Sequence, residues 1–325
     1  MSRVIFLTGG TGFFGRSFLN YFLSTNNSDD HIFILSRDPE RFLGLYPNYK
    51  SHGQLSFIKG DIQDPLSLSF KMSFTHVLHA ATDSTFGPQL TPLQRFSQIV
   101  EGTRNVLDLS ISSGAKRFLL TSSGGIYGSQ PKDLSSFAED WLGSPPLSDP
   151  NTAYSQGKRT AEHLCALYSE AYGLQTVIAR CFAFIGPDLP LDVHFAIGNF
   201  IRDALTAEAI TVSGDGTQLR TYLDQSDLAH WLWTLLLEGI DGETYNVGSD
   251  EVISIAELAY LVRDLIAPNK PVRILGSPVV TAERNRYIPN IAKAQQLHGL
   301  TVGIPLAEAI RRTARAHGSE EGQIN

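Results

Sequence analysis

Cysteine is scarce in this chain: Cys165 and Cys181 are the two among 325 residues. Two thiols in apolar surroundings supply neither a disulfide framework nor a metal-ligand cluster, so a packed core has to hold the fold and no metal site is expected. Basic residues are not in excess either. Lysine and arginine total 26 against 33 aspartates and glutamates, giving a net charge of −7 and a pI near 5.7. The broad basic surface that nucleic-acid backbones require is missing, so nucleic acid is not an expected partner. No apolar run approaches the roughly 18 residues of a membrane span. The opening Arg3-Val4-Ile5-Phe6-Leu7 is also too short an apolar stretch for a secretory leader. Internal repeats and low-complexity tracts are absent. The expectation is a cytoplasmic protein with no membrane partner.

Of the residues present, 42% are hydrophobic and 18% charged, enough to bury a large core. Short β-branched or aromatic runs at Val4–Leu7, Ile32–Leu35, Leu55–Ile58, His76–His79, Phe118–Thr121 and Thr176–Ala179 read as buried strands. Amphipathic stretches at Gly15–Ser24, Leu93–Ser113 and Ala153–Tyr172 alternate with them. Strand–helix alternation with near-continuous apolar strands predicts an α/β fold, a doubly wound parallel sheet of the Rossmann type. After Arg180 the rhythm breaks at Gly186-Pro187, Pro190, Gly214-Asp215-Gly216 and Pro268. Helical stretches persist at Asp227–Glu238 and Ser254–Leu265, the second with Ser254 as N-cap and Glu257 three residues on. We expect a dinucleotide-binding domain over residues 1–178, a smaller mixed α/β substrate-binding region over 179–325, and a return into the first domain within 220–250.

Gly9-Gly10-Thr11-Gly12-Phe13-Phe14-Gly15 follows the first strand and opens a helix. Glycines at 9, 12 and 15 allow a tight turn, close approach of a pyrophosphate and close helix–strand packing. The helix N-terminus, with Phe13 and Phe14, presents N–H groups to the phosphates. A ribose-binding acid is expected about 20 residues after such a loop, at the end of the second strand. Ser36 stands there, followed by Arg37 and then Asp38. A hydroxyl beside a guanidinium suits a 2′-phosphate, which favours NADP over NAD; an Arg37 that faces solvent and an Asp38 that bonds the ribose is the alternative. Asp61 and Ile62 end the third strand beside the adenine, while His79, Ala80 and Ala81 end the fourth, where small side chains admit the cofactor.

Asn151-Thr152-Ala153-Tyr154-Ser155-Gln156-Gly157-Lys158 places Tyr154 and Lys158 on one face of a helix. A neighbouring ammonium favours phenolate, so Tyr154 is the candidate proton acceptor, and Lys158 is also expected to bond the nicotinamide ribose. The strand ending Leu120-Thr121-Ser122-Ser123-Gly124 brings Ser123 to the ligand end of the sheet, with Thr121 beside the cofactor and Gly124 beside the substrate. Ser122 is expected to be structural and Tyr127 to line the pocket.

The glycine loop, Ser122-Ser123-x-x-x-Tyr127-Gly128, Tyr154-x-x-x-Lys158, Arg180…Gly186-Pro187, Gly214-Asp215-Gly216-Thr217-Gln218-Leu219-Arg220 and Tyr245-Asn246-Val247-Gly248-Ser249 occur in order over almost the whole chain. Together they resemble the NAD-dependent epimerase/dehydratase family of extended short-chain dehydrogenases, which modify nucleotide-linked sugars. The resemblance implies that Tyr154 is the acid/base, that Lys158 positions it and the ribose, and that Ser123 holds the reacting hydroxyl. It also implies a homodimer formed through a four-helix bundle of Leu93–Ser113 and Ala153–Tyr172.

Four positions depart from the family pattern. Gly124 and Gly125 stand where its 4,6-dehydratases carry an Asp-Glu pair, so a dehydratase would need another carboxyl such as Glu139 or Asp140. Ile99 and Ala183 stand where family asparagines are common. Asn199 is the candidate to replace the second of these at the substrate diphosphate. Arg220, with Arg284 or Arg286, is the expected arginine clamp for that diphosphate. Thr82, Asp83 and Ser84, and with them Asp192 and His194, are candidates for the sugar hydroxyls.

The sequence therefore predicts an NAD(P)-dependent enzyme acting on a nucleotide-diphosphate sugar by redox chemistry at C4, a 4-epimerase or 4-ketosugar reductase. The alternative within the family is a 4,6-dehydratase or decarboxylase, which needs acid–base residues that the motifs do not supply. The alternative of another class is a non-catalytic dinucleotide-sensing protein, since fold alone does not give function.

Overall fold

Apolar runs without alternation form strands covered on both faces, and six of them build the first half of the protein. In the computed structural model, which describes residues 2–25, 29–82, 89–193, 195–277 and 285–318, these are β1 (Val4–Thr8), β2 (His31–Ser36), β3 (Leu55–Lys59), β4 (His76–His79), β5 (Arg117–Ser123) and β6 (Gln175–Cys181). Between them run α1 (Phe13–Thr25), α2 (Pro39–Leu45), α3 (Pro92–Ser112) and α4 (Ala153–Tyr172). Ile5, Leu7, Val77, Leu78 and Leu119 are wholly buried in the sheet. Thr91 begins α3 with a reciprocal capping box to Gln94, and Gly173 ends α4 in the left-handed conformation that glycine tolerates best.

The later elements are shorter: β7 (Phe184–Ile185), α5 (Ala196–Thr206), β8 (Ile210–Val212), β9 (Leu219–Arg220), β10 (Leu223–Asp224), α6 (Gln225–Glu238), β11 (Thr244–Val247), β12 (Ile253–Ser254), α7 (Ile255–Ile266), β13 (Val272–Ile274), α8 (Ala292–His298) and α9 (Leu306–Gly318). Ser254 and Glu257 form the capping box that their spacing predicts.

The central sheet has the order β11-β6-β5-β4-β1-β2-β3. The pairings from β3 to β6 are parallel and in continuous register, from Val4 opposite His31 to Ser123 opposite Cys181. This is the doubly wound Rossmann arrangement. Its order reverses between β1 and β4, and the crevice at the carboxyl ends of those two strands is where such sheets take a ligand.

Two compact units divide the chain. The first comprises residues 1–128, 144–181 and 229–245, and the second 129–143, 182–228 and 246–325. The chain thus passes between units at 129–143 and at 229–245 as well as after residue 181, and backbone pairing explains why. Phe137 donates its N–H to the Ile288 carbonyl (2.8 Å) and its own carbonyl accepts from Asn290 (2.7 Å), which draws 129–143 into the second unit. Ile178 donates to the Glu243 carbonyl (3.0 Å), which holds 229–245 in the first. Among the described residues no helix is long and apolar enough to cross a membrane.

Candidate functional site

The β1–α1 turn is shaped by what its glycines leave out. Gly9 has φ +73°, and a Cβ there would lie 2.5 Å from the Ala80 carbonyl oxygen. A Cβ on Gly15 would lie 2.2 Å from the Gly10 Cα. Both positions exclude side chains, so the loop packs tightly on the end of β4. Gly12 differs: only the Gly9 carbonyl oxygen, at 3.6 Å, comes near its notional Cβ. The face that glycine leaves open adjoins the start of α1 at Phe13 and Phe14, where the helix dipole favours an anion. A pyrophosphate fits this cradle.

At the end of β2, Ser36 is buried and its hydroxyl accepts the Asp38 N–H (3.2 Å). The Asp38 carboxylate accepts the Arg41 N–H (3.0 Å) as N-cap of α2, while Arg37 is exposed. Asp61 likewise caps its own turn by accepting from Gln63. Ile62 is buried, and its side chain fills the space beside Gly102 of α3.

His79 is turned into the core. Its Nδ1 meets the Thr8 hydroxyl at 2.7 Å and its Nε2 the Thr103 hydroxyl at 3.2 Å. Burial, with the nearby Lys158 charge, lowers its pKa to about 3, so the ring is neutral and structural. Its backbone still serves the site: the His79 carbonyl accepts from Thr121, and the Ala81 N–H donates to Thr8.

Ser123 ends β5, and Tyr154 and Lys158 lie in the first two turns of α4. The Ser123 hydroxyl accepts the Gly125 N–H at 3.1 Å and lies near enough to the Tyr154 phenol to favour its charged form. Lys158 donates to the Thr82 hydroxyl (2.6 Å) and the Thr121 carbonyl (2.7 Å). The structure therefore brings Ser123, Tyr154, Lys158, Thr121 and Thr82 together. It corrects the electrostatics read from the sequence, however. The Tyr154 phenol is pushed up to about 12, because burial outweighs the lowering effects of Ser123 and Arg95. Burial takes Lys158 down to about 8. Desolvation works against the charged form of each group, and the lysine spends its donors on Thr82 and Thr121.

Gly124 and Gly125 open a short 3-10 turn. A Cβ on Gly125 would come within 2.9 Å of the Ser155 hydroxyl and 3.3 Å of the Ser123 hydroxyl, so hydroxyls surround the position. Glu139 is committed elsewhere, its carboxylate accepting the Asn246 N–H at 2.8 Å.

Beneath the strand end lies an ion pair that the motif reading did not single out. Glu162 holds Arg180 (2.8 Å) and accepts from the Ser122 hydroxyl, while Arg180 donates to the Tyr127 phenol (2.9 Å). Tyr127 is consequently buried, where the sequence suggested a pocket wall. The signal was available, since Glu162 lies one helical turn beyond Lys158 and on its face.

In the second unit, Asn199 of α5 accepts from Arg202 (3.2 Å). Arg220 donates to the Leu219 carbonyl (2.8 Å) and the Asn285 carbonyl (3.3 Å). Burial holds its guanidinium below its ordinary value, against the phenols of Tyr222 and Tyr287. Leu219 bridges Arg286, so the alternation of extended chains sets Arg220 beside Tyr287 and turns Arg286 to the other face. Asp83, Ser84, His194 and Arg284 lie outside the described residues. Among the described residues, no group of three His, Cys, Asp or Glu side chains is placed to hold a metal ion.

The family described as NAD dependent epimerase/dehydratase matches residues 5–248. The chain belongs to that family. This NAD dependent epimerase/dehydratase member is therefore an enzyme, and the dinucleotide-sensing alternative is set aside. It is 29% identical over 326 residues to UDP-glucuronic acid decarboxylase 1 of Danio rerio, covering 99% of this chain and 74% of that protein. Its fold matches a dTDP-glucose 4,6-dehydratase from Streptomyces venezuelae solved with NAD (TM-score 0.83, 23% identity, 98% of each chain). It also matches a UDP-glucuronic acid 4-epimerase from Bacillus cereus in complex with UDP-glucuronic acid and NAD (TM-score 0.80, 23% identity, 98% of this chain and 99% of that one).

Proposed function

We propose that this enzyme carries out nicotinamide-dependent redox chemistry at C4 of a nucleoside-diphosphate sugar, as a 4-epimerase or a 4-ketosugar reductase. The carrying observation is the placement of Ser123 beside Tyr154 at the ligand end of the sheet, with Lys158 fixed on the Thr121 carbonyl and glycines at 124 and 125. The cofactor supplies hydride acceptance and return. Ser123 and Tyr154 grip the C4 oxygen. Tyr154 takes its proton when the carbinol becomes a ketone, and gives it back when the ketone is reduced. Lys158, charged below pH of about 8, supports the phenolate as it forms.

Dehydration across C5 and C6 needs an acid for the C6 hydroxyl and a base for the C5 proton. Gly124 and Gly125 carry neither, which supports the simpler chemistry. A second reading is decarboxylation, favoured by the likeness to UDP-glucuronic acid decarboxylases. Oxidising C4 of a hexuronate makes a β-keto acid; carbon dioxide then leaves while the C5–C6 bonding pair stays on the sugar, delocalised into the C4 carbonyl, C5 is protonated, and the hydride returns to C4 to give the pentose. The same Ser123, Tyr154 and Lys158 serve that first step.

NADP is the cofactor we favour over NAD, on the exposed Arg37 and on an Asp38 carboxylate already used as a helix cap. The parallel pair α3 and α4 supports a homodimer formed through these helices, which size-exclusion chromatography with light scattering would read directly.

NMR of the reaction in deuterated water tests the function. UDP-glucose should give a C4 epimer without deuterium at C5, or a supplied 4-ketosugar should be reduced with NADPH consumed. A 6-deoxy-4-keto product carrying C5 deuterium would overturn the reading. A pentose with carbon dioxide from UDP-glucuronate would select the second.

A further inference from the structure

Arg95 lies half-buried in the first two turns of α3, and among the described residues no carboxylate pairs with it. Helices α3 and α4 lie side by side and run parallel. Ile99 fills the space beside Gly157, where an added Cβ would be 3.2 Å from the Ile99 Cβ. Further along both helices, the Tyr168 hydroxyl donates to Asp108. One turn back from the Ile99–Gly157 contact, the same alignment sets Arg95 level with Tyr154. The guanidinium charge reaches the Tyr154 phenol. Lys158, the other cation here, already spends donors on Thr82 and Thr121.

We propose that Arg95 recognises a carboxylate on the reacting sugar, so that a nucleotide hexuronate is preferred over a neutral nucleotide hexose. A half-buried arginine with no carboxylate partner among the described residues is most stable when an anion enters beside it, and its planar fork matches a carboxylate. Position on the ring selects which anion. Tyr154 serves the C4 oxygen, and the carboxylate of a hexuronate hangs from the adjacent C5. The diphosphate is attached at C1, across the ring, away from the Tyr154 end. The Arg95 charge therefore meets the C5 substituent. This inference rests on the C4 reading above and adds the class of sugar.

Calorimetric titration of the NADP-saturated enzyme with UDP, UDP-glucose and UDP-glucuronate tests it. The unmutated enzyme should bind UDP-glucuronate at least about tenfold more tightly than UDP-glucose, the scale of one charge-assisted contact. Arg95→Gln should bring that ratio to about one and leave UDP and UDP-glucose within about twofold. Arg95→Lys should keep part of the preference, because a point charge remains without the fork. Equal binding of the two sugars by the unmutated enzyme would remove the role of Arg95 while leaving the C4 reading intact. So would an Arg95→Gln variant that weakens both sugars alike, the mark of a structural residue. Failure of UDP and of both sugars to bind would bring down the uridine-sugar reading and this inference together. Thermal unfolding of each variant beside the parent shows whether the comparison is made between folded proteins.

Discussion

Lys158 donates to the Thr121 carbonyl at 2.7 Å, while its ammonium stands 6.0 Å from the centre of the Tyr154 ring. The lysine is anchored to the strand end and holds its charge at a distance from the phenol ring. On the proposed chemistry the two separate in experiment, Tyr154 as the proton carrier and Lys158 as the charge behind it.

Tyr154→Phe should remove the proton carrier and leave the helix face intact. We expect turnover to fall by about 10²–10⁴, the usual scale of general acid–base catalysis, with cofactor affinity and thermal unfolding unchanged. Steady-state kinetics and dinucleotide titration check both halves, and wild-type turnover would refute the assignment.

Lys158→Met should trade activity for stability. Burial lowers the folded-state pKa of the ammonium from 10.5 to about 8, so the unfolded chain binds the extra proton between those values. The cost of burying the charge is fully present below about pH 8 and fades as pH rises toward 10.5. The variant should gain about 1–2 kcal/mol at pH 7, after allowance for two lost hydrogen bonds, and the gain should shrink by pH 10. Denaturant unfolding at the two pH values reads this, and a variant less stable than the parent at pH 7 contradicts it.

His79→Gln should blunt acid unfolding. The folded-state pKa is lowered to about 3 from 6.5, so stability from the neutral ring is present above 6.5 and is lost as pH falls toward 3. At pH 5 the parent should have lost about 2 kcal/mol through this group alone. The variant should be less stable at pH 7, with a shallower decline between pH 6.5 and 4.

Arg37→Ala should weaken NADPH more than NADH, because only the former offers a 2′-phosphate to a guanidinium. A selective loss of about tenfold in NADPH affinity is expected, read by fluorescence titration of both cofactors. Equal loss, or tighter NADH binding by the parent, would turn the reading toward NAD.

Much of this protein was set by local sequence alone. Near-continuous apolar runs gave strands within a residue or two of their observed ends, because a strand covered on both faces has no polar positions to alternate. The glycine spacing named the turn at Gly9, Gly12 and Gly15, and the four-residue interval put Tyr154 and Lys158 on one face, since helix and turn geometry repeat at short range. Tertiary structure decided the rest. Whether a charge is stabilised depends on what surrounds it: burial raised Tyr154 and lowered Lys158, where adjacency alone suggested mutual help. The division of the chain turned on Phe137 pairing with Ile288 and Asn290, residues some 150 positions away in sequence. Arg95 carried no motif at all. Only the parallel packing of α3 on α4, fixed by Ile99 against Gly157, set that cation near Tyr154.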